Sequence, residues 1–187
     1  MGSSLQAVAS PEEDASSFVL VEQQDLLSEG LFTISPKGDS SKHLDVVDAS
    51  VDDGANVQIW HDNGSLAQKW YVKRASGKVN TYTLQAACSG KQLAADSNGN
   101  AVQRTADGSS EQLWRADFSG GFVVFTNLGT GRVLDLADGC TDAGTNVQTY
   151  AANGMDAQRF SLRETQLLPE GLYTICLAGT DQVIDLR

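Results

Sequence analysis

Short alternating patterns of apolar and polar residues recur along the chain. The stretches GLFTIS at Gly30, NTYTLQ at Asn80 and GFVVFT at Gly121 each alternate over six residues, which predicts half-buried β-strands. Further short apolar pieces follow each stretch, separated by Gly, Asp, Asn and Ser residues that favour turns. No stretch has the period of a long amphipathic helix. The pattern predicts an all-β chain with about four short strands per copy.

Longer segments repeat together with these strands. Residues 56–70 (NVQIWHDNGSLAQKW) and 146–160 (NVQTYAANGMDAQRF) lie 90 positions apart. A related copy, NAVQRTADGSSEQLW, lies between them, so that Gln58, Gln103 and Gln148 align at intervals of 45. Each copy closes on a Gln-x-aromatic triplet: Gln68-Lys69-Trp70, Gln112-Leu113-Trp114 and Gln158-Arg159-Phe160. A period of about 45 residues indicates a repeat architecture, and closure of the strands into a barrel would protect their edges.

Two of the three copies carry an aspartate upstream of the aligned glutamine. KHLDVVD contains Asp45 and RVLDLAD contains Asp135, whereas the middle copy, KQLAADS, has Ala94 at that position. The position two residues after the glutamine divides in the same way: Trp60, Thr105 and Tyr150. The loop of the middle copy is also shorter, which separates that copy from the other two.

These repeats resemble the ricin B-chain type β-trefoil family of lectins and carbohydrate-binding modules. The resemblance covers roughly residues 30–165 and rests on three Gln-x-aromatic triplets in register with the upstream Asp and Gln. It implies a β-trefoil with pseudo-threefold symmetry, in which each closing Gln bonds the backbone and each closing ring enters a shared core. It also implies a lectin-like function.

On this basis we expect a complete trefoil at 26–166, with repeats at about 30–75, 76–118 and 119–165. LLPEGLYTI near the C-terminus copies LLSEGLFTI at the start of this trefoil. We therefore expect residues 1–25 to be a linker plus the last strand of a preceding trefoil, and 167–187 to be the first strands of a following one. The alternative is one trefoil whose ends pack on its outside or exchange between chains.

A sugar presents hydroxyl groups at its edge and a C–H face, so a site needs a carboxylate, an amide and an aromatic ring. Repeat 2 lacks the Asp and the aromatic and is expected not to bind. Gln58 and Gln148 could instead be structural, because the aligned Gln103 is also present in repeat 2. The residues of the two predicted sites are Asp45, Gln58, Trp60 and Asn63 in repeat 1, and Asp135, Gln148, Tyr150 and Asn153 in repeat 3.

The rim of the predicted sites has more than one possible composition. In repeat 1 either Asn63 or His61 could complete it, and Asn63-Gly64 and Asn153-Gly154 could equally be simple turns. The family often carries an Asn directly before Gln-x-Trp that helps to hold the sugar. Here that position is Ala67, Glu111 and Ala157. The departure predicts weakened sites unless the two rim asparagines compensate.

Charge and composition exclude several classes of partner. The net charge is −11, from 13 basic and 24 acidic residues, which disfavours nucleic acid and anionic membrane surfaces. No apolar run approaches the roughly 20 residues of a membrane span, so we expect no membrane insertion. Of the two histidines, His43 is expected to face solvent, and neither has a catalytic or metal-binding spacing. We predict no catalytic residues, no metal and no cofactor.

Three functions are compatible with these observations. The first is a non-catalytic carbohydrate-binding module, one of a tandem array in a secreted or surface protein, that binds glycans weakly through repeats 1 and 3. The second is a structural spacer or protein-binding trefoil that has lost sugar binding. The third is a non-catalytic piece of a larger glycoside hydrolase or toxin. Residues 1–10 lack the pattern of an export signal, so the expected extracellular or cell-surface location rests on the resemblance alone.

Overall fold

The computed structural model describes residues 6–8, 19–21 and 27–167. In these ranges the chain forms strands and single-turn 3-10 helices. The 3-10 helices are Val47–Ala49, Leu66–Gln68, Ser110–Gln112, Ala137–Gly139 and Asp156–Gln158. The strands are β1 (Gln6–Val8), β2 (Val19–Val21), β3 (Gly30–Pro36), β4 (Lys42–Val46), β5 (Val57–His61), β6 (Trp70–Arg74), β7 (Thr81–Ala86), β8 (Gln92–Ala95), β9 (Ala101–Arg104), β10 (Trp114–Ser119), β11 (Phe122–Asn127), β12 (Val133–Leu136), β13 (Val147–Tyr150) and β14 (Phe160–Glu164).

Six of these strands close a barrel. β3 pairs with β6, β6 with β7, β7 with β10, β10 with β11, β11 with β14, and β14 pairs back with β3. Each repeat therefore gives two strands to the barrel and one hairpin outside it, formed by β4–β5, β8–β9 or β12–β13. Closure leaves the barrel strands without free edges. The predicted all-β, pseudo-threefold β-trefoil is confirmed.

The closing ring of each repeat lies in the common interior. Trp70, Trp114 and Phe160 are fully buried. The indole Nε1 of Trp70 donates a hydrogen bond to the carbonyl of Leu44 (3.1 Å), and that of Trp114 donates to the equivalent carbonyl of Leu93 (3.0 Å). Each tryptophan thus fills the core and satisfies a buried backbone oxygen of its own repeat's hairpin. The expected shared core of closing rings is confirmed.

A chain of asparagine side chains joins the three hairpins. Asn100 donates from Nδ2 to Oδ1 of Asn56 (2.8 Å), and Asn146 donates from Nδ2 to Oδ1 of Asn100 (2.8 Å). One such residue comes from the loop of each repeat. These contacts fix the hairpins relative to one another, and with them the loops that carry the predicted sites.

The structure describes only short parts of the two chain ends, where strands of neighbouring trefoils are predicted. β1 and β2 form a separate antiparallel pair, with Gln6 opposite Val21. The remaining positions of 1–26, and residues 168–187, lie outside the described residues, so the prediction of an array stays a prediction. In the part of the chain that the structure describes, no helix has the length and apolar character needed to cross a membrane.

Candidate functional site

Two equivalent grooves lie beside the hairpins of repeats 1 and 3, and all eight predicted site residues line them. The grooves have volumes of about 430 and 480 Å³. Groove 1 is lined by Asp45, Val47, Asp48, Ala49, Gln58, Trp60, Asn63, Ser65 and Ala67. Groove 3 is lined by Asp135, Leu136, Asp138, Gly139, Gln148, Tyr150, Asn153, Met155, Asp156 and Ala157.

A hydrogen-bonded pair of an aspartate and a glutamine forms the base of each groove. In groove 1, Asp45 lies opposite Gln58 in the β4–β5 register, and Gln58 Nε2 donates to Asp45 Oδ1 (3.1 Å). In groove 3, Gln148 Nε2 donates to Asp135 Oδ1 (3.0 Å). Both carboxylates are about 95% buried (4% and 5% exposed), so the hydrogen bond offsets part of the cost of removing them from water.

The closing glutamines connect these grooves to the core. In all three repeats their Nε2 donates to a backbone carbonyl seven residues earlier and their Oε1 accepts from a backbone N–H five residues earlier. Gln68, Gln112 and Gln158 are therefore structural, as predicted. Gln158 makes a further bond, from Nε2 to Asp135 Oδ2 (2.9 Å). The glutamine two residues before a core ring thus also holds the groove 3 carboxylate in place.

The protonation of Asp45 reflects its buried position. Burial raises the pKa of this carboxyl above its ordinary value, and hydrogen bonds from Gln58 and Gln68 oppose the shift. The nearby negative charge of Asp48 adds to the increase. A carboxylate with a raised pKa and amide partners remains a good acceptor for sugar hydroxyls.

An exposed aromatic ring stands two residues after the glutamine in each groove. Trp60 is 40% exposed and Tyr150 is 53% exposed, unlike the buried closing rings. Alternation along β5 and β13 places each ring on the same face as its glutamine. The ring of His61 meets Trp60 edge to face, with centroids 6.1 Å apart. Each groove therefore offers an accessible aromatic face next to a polar pair.

The two rim asparagines form turns and also line the grooves. Asn63 Oδ1 accepts a hydrogen bond from the Ser65 N–H (2.9 Å), and Asn153 Oδ1 accepts one from the Met155 N–H (2.9 Å). In the described part of the chain, the Nδ2 group of neither asparagine has a hydrogen-bond partner. The turn interpretation accounts for the oxygen of each side chain and leaves its donors free.

Each groove contains a second carboxylate that is not among the eight predicted site residues. Asp48 and Asp138 occupy the middle of the 3-10 turns and adopt left-handed backbone conformations (φ 54° and 56°). Such a backbone is costly for a residue with a Cβ, although Asp tolerates it better than most. The recurrence of Asp three positions after Asp45 and Asp135 was the available signal.

The strand register corrects the alignment of repeat 2 by one residue. Leu93 lies opposite Gln103, whereas the equivalent Leu44 lies opposite Ile59. The bridges from Asn56 to Val102 and from Asn146 to Gln58 follow the same register. Val102 is therefore the counterpart of Gln58 and Gln148, and Gln103 is the counterpart of the inward-facing Ile59 and Thr149. The shorter loop of repeat 2 allows a Val-Gln pair to coincide at the 45-residue interval without being equivalent.

The corrected register removes the reason for treating Gln58 and Gln148 as structural. In repeat 2 all three groove positions differ, because Ala94, Val102 and Arg104 stand where the other repeats have Asp, Gln and an aromatic ring. Gln103 has a different function: its Nε2 donates to the Ser50 and Asp52 carbonyls, and its Oε1 accepts from the Ser89 hydroxyl. The polar pair is thus replaced as a unit by an apolar one.

An ion pair occupies the edge of the repeat 2 hairpin. Lys91 contacts Asp53 (2.9 Å), which belongs to the loop of repeat 1, and both bond the hydroxyl of Thr105. These contacts pack the loop of repeat 1 on the strand that would carry an aromatic ring.

The structure corrects the expected position of His43, and it also shows whether the described residues could hold a metal. His43 does not face solvent as expected; it lies within β4, is 8% exposed, and its Nδ1 lies 2.8 Å from the Ser35 hydroxyl. All five residues of β4 are buried, so the position of His43 inside this strand removes its ring from solvent. Among the described residues, no group of three or more His, Cys, Asp or Glu side chains is placed to hold a metal ion.

Comparison with known proteins places this geometry among related structures. The designed 3-fold symmetric protein ThreeFoil is 29% identical, with a TM-score of 0.68 over 73% of this chain and 100% of that one. An exo-β-1,3-galactanase from Clostridium thermocellum is 28% identical (TM-score 0.66), over 81% of this chain and 33% of that one. The C-half of an earthworm R-type lectin, in complex with GalNAc, is 18% identical (TM-score 0.60), over 73% and 99%. The chain therefore spans only about a third of the galactanase.

No curated protein matches the chain in sequence. The family model for the ricin-type beta-trefoil lectin domain-like proteins matches residues 18–107, 66–150 and 110–187. These overlapping matches agree with the three repeats of the barrel and span most of the sequence. The chain belongs to the ricin-type beta-trefoil lectin domain-like family.

Proposed function

We propose that this chain is a non-catalytic carbohydrate-binding module with two sugar sites, groove 1 and groove 3. The observation that carries the proposal is the buried Asp–Gln pair beside an exposed aromatic ring. It occurs in repeats 1 and 3 and is missing as a complete set from repeat 2. A structural role would not require three residues to change together in one repeat.

The chemistry of the grooves fits a sugar ring. Asp45 and Asp135 can accept hydrogen bonds from neighbouring hydroxyls, and the amides of Gln58 and Gln148 can accept or donate. The ring of Trp60 or Tyr150 offers an apolar face to the C–H groups. The GalNAc bound by the earthworm lectin is a ligand of this chemical class.

Binding by one groove is expected to be weak. Shallow, partly solvated sites of this kind correspond to dissociation constants on the order of millimolar, or about −4 kcal/mol. Two grooves in one chain, and further trefoils in a tandem array, would raise the avidity on a multivalent surface. An extracellular or cell-surface location, where such glycans are abundant, is part of this proposal.

The positions before the closing glutamines favour the second candidate function, a spacer or protein-binding trefoil without sugar affinity. Ala67 and Ala157 line the grooves where the family often has an asparagine. Such a trefoil, or a binding piece of a larger glycoside hydrolase or toxin, would keep the fold described here. The match to one third of a galactanase supports the idea of a module attached to a longer protein.

A glycan array on the full chain tests the proposal. The paired variant Asp45→Asn/Asp135→Asn keeps the size of both side chains and removes both carboxylates. We expect the paired variant to bind none of the glycans that the unaltered protein binds. The control variant Asp52→Asn removes a charge from an exposed loop position outside both grooves and should bind normally. Equal binding by the paired variant, or no binding by the unaltered protein to any glycan, would favour the spacer.

A further inference from the structure

One loop lines groove 3 and also pairs with the strand that carries the aromatic ring of groove 1. The segment 137–146 links β12 to β13, and Asp138 and Gly139 near its start line groove 3. The end of the same segment lies along β5 of repeat 1. The Gly144 N–H donates to the Ile59 carbonyl (2.8 Å), and the Ile59 N–H donates to the Thr145 carbonyl (3.0 Å). Repeat 3 therefore reaches the strand that carries the groove 1 aromatic ring.

Gly144 lies directly beside that ring. A Cβ atom at this position would be 3.5 Å from Cζ3 of Trp60 and 4.0 Å from Oε1 of Gln58. Its backbone is left-handed (φ +90°), a conformation that favours glycine. A Cβ atom alone would thus make an ordinary van der Waals contact with the indole, and any longer side chain at this position would reach the ring.

We propose that Gly144 is a positioning residue for groove 1, which supports the Trp60 ring from a different repeat and makes groove 1 the stronger of the two sites. The proposal rests on the sugar-binding function given above. An aromatic ring that is already oriented loses less conformational freedom when a ligand binds, so its contact contributes more to affinity.

Groove 3 has only one of these two backbone hydrogen bonds, because the neighbouring loop is short. Only residues 96–100 link β8 to β9, half the length of 47–56 or 137–146. Gly99 accepts bonds from the N–H and hydroxyl of Thr149, and its nearest side chains are Arg132 and Thr149, not Tyr150. Among the described residues of repeat 2, no N–H donates to the Thr149 carbonyl. Tyr150 is accordingly more exposed than Trp60, 53% against 40%.

The chain contains a matched control for this glycine. Gly54, in the loop of repeat 1, donates its N–H to the Gln103 carbonyl (2.8 Å) just as Gly144 donates to Ile59. Its backbone is left-handed as well (φ +83°), but a Cβ there would meet no atom within 4 Å. It packs against repeat 2, which has no groove ring. Asparagine at either position introduces similar backbone strain, but only at position 144 does the side chain meet a groove residue.

The first test measures the ring without any ligand. The chain has three tryptophans, and Trp70 and Trp114 are fully buried, so acrylamide quenching of the folded protein reports Trp60. We expect Gly144→Asn to increase the quenching constant, and Gly54→Asn to leave it unchanged at a similar melting temperature. Equal quenching in the two variants would overturn the proposal.

The second test measures binding groove by groove on an array of galactose- and N-acetylgalactosamine-terminated oligosaccharides. Tyr150→Ala removes the ring of groove 3, so the affinity of this variant is that of groove 1. Trp60→Ala removes the ring of groove 1, so its affinity is that of groove 3. We expect groove 1 to bind more tightly, and Gly144→Asn in the Tyr150→Ala background to weaken it about three- to tenfold. Gly54→Asn in the same background should leave the affinity of groove 1 unchanged. If Gly144→Asn changes quenching but not binding, or if groove 3 is the stronger site, the positioning proposal fails. If the unaltered protein binds none of these glycans, the proposed sugar-binding function fails for this class of glycan, while the quenching result still decides the position of the ring.

Discussion

Gln58 donates a hydrogen bond to the buried carboxylate of Asp45 across β4 and β5, at 3.1 Å. The same relationship joins Gln148 to Asp135 at 3.0 Å, whereas repeat 2 places Ala94 opposite Val102. A buried carboxylate and amide add little to stability that an apolar pair could not supply, as repeat 2 demonstrates within the same fold. Their presence in only two of three repeats is therefore better explained by binding than by folding.

The two glutamines Gln58 and Gln103, aligned in the sequence, should respond differently to substitution. Gln103→Ala removes three hydrogen bonds from a fully buried side chain and should lower the free energy of unfolding by about 1–3 kcal/mol. Gln58→Ala affects a half-buried groove residue and should mainly reduce glycan binding. Chemical denaturation and array binding of both variants measure the difference. A larger loss of stability for Gln58→Ala would contradict the register described here.

The architecture followed from sequence because its signals are local or strictly periodic. Alternating strands and the closing triplets at Trp70, Trp114 and Phe160 predicted the barrel and its core. Asp45 and Asp135 were predicted as site residues because each has an aromatic residue downstream in the same copy, and the middle copy lacks both. These features depend on spacing within a repeat, which the sequence displays directly.

Other features depended on three-dimensional pairing. Gln103 was misaligned because a shorter loop moved a Val-Gln pair into an apparent 45-residue interval, and only strand register separates it from Gln58. Asp48 lines groove 1 from a turn with a left-handed backbone, which composition does not reveal. The contact of Gly144 with Trp60 joins two repeats, and no spacing within one repeat predicts it.

The two kinds of tryptophan should separate stability from binding. Trp70→Ala removes a fully buried ring and its bond to the Leu44 carbonyl, and should destabilise the protein by about 3–5 kcal/mol. Trp60→Ala removes a ring that is 40% exposed and should change stability little, while it abolishes binding at groove 1. Thermal unfolding and array binding test both statements. An unchanged melting temperature for Trp70→Ala would place that ring outside the core.

Groove 1 should lose its ligand in mild acid. Burial raises the pKa of Asp45 above the usual 3.8, and protonation removes the charge that accepts sugar hydroxyls. Binding by the Tyr150→Ala variant should therefore fall as the pH drops through this raised pKa, starting above pH 3.8.

The stability contribution of Asp45 has the opposite sign. The folded carboxyl holds its proton more tightly than the unfolded one, so this group contributes stability that is fully present below pH 3.8 and lost as the pH rises through the raised pKa. Fluorescence titrations from pH 7 to 3.5, compared with melting temperatures, check both trends. Binding that persists unchanged to pH 3.5 would exclude the Asp45 carboxylate as the acceptor.

Groove 1 should discriminate against anionic glycans. Asp45 and Asp48 both line it, and no Lys or Arg is among its lining residues. A glycan that ends in a uronic or sialic acid should bind more weakly than its neutral counterpart. Asp48→Asn should reduce the ratio of the two dissociation constants about fivefold. Added salt screens the repulsion and should reduce this ratio as well. Paired array measurements, with Asp52→Asn as the charge control, test this selectivity. A preference for the acidic glycan would contradict it.

The most direct test of two sugar grooves in a three-repeat fold is an NMR titration of backbone amides with a glycan selected on the array. The account predicts saturable shifts at Gln58, Trp60, Gln148 and Tyr150, and none at the repeat 2 counterpart Arg104. In Asp45→Asn/Asp135→Asn these shifts should disappear while the remaining spectrum is retained. Shifts centred on repeat 2, or shifts that survive in the paired variant, would contradict the assignment of the grooves.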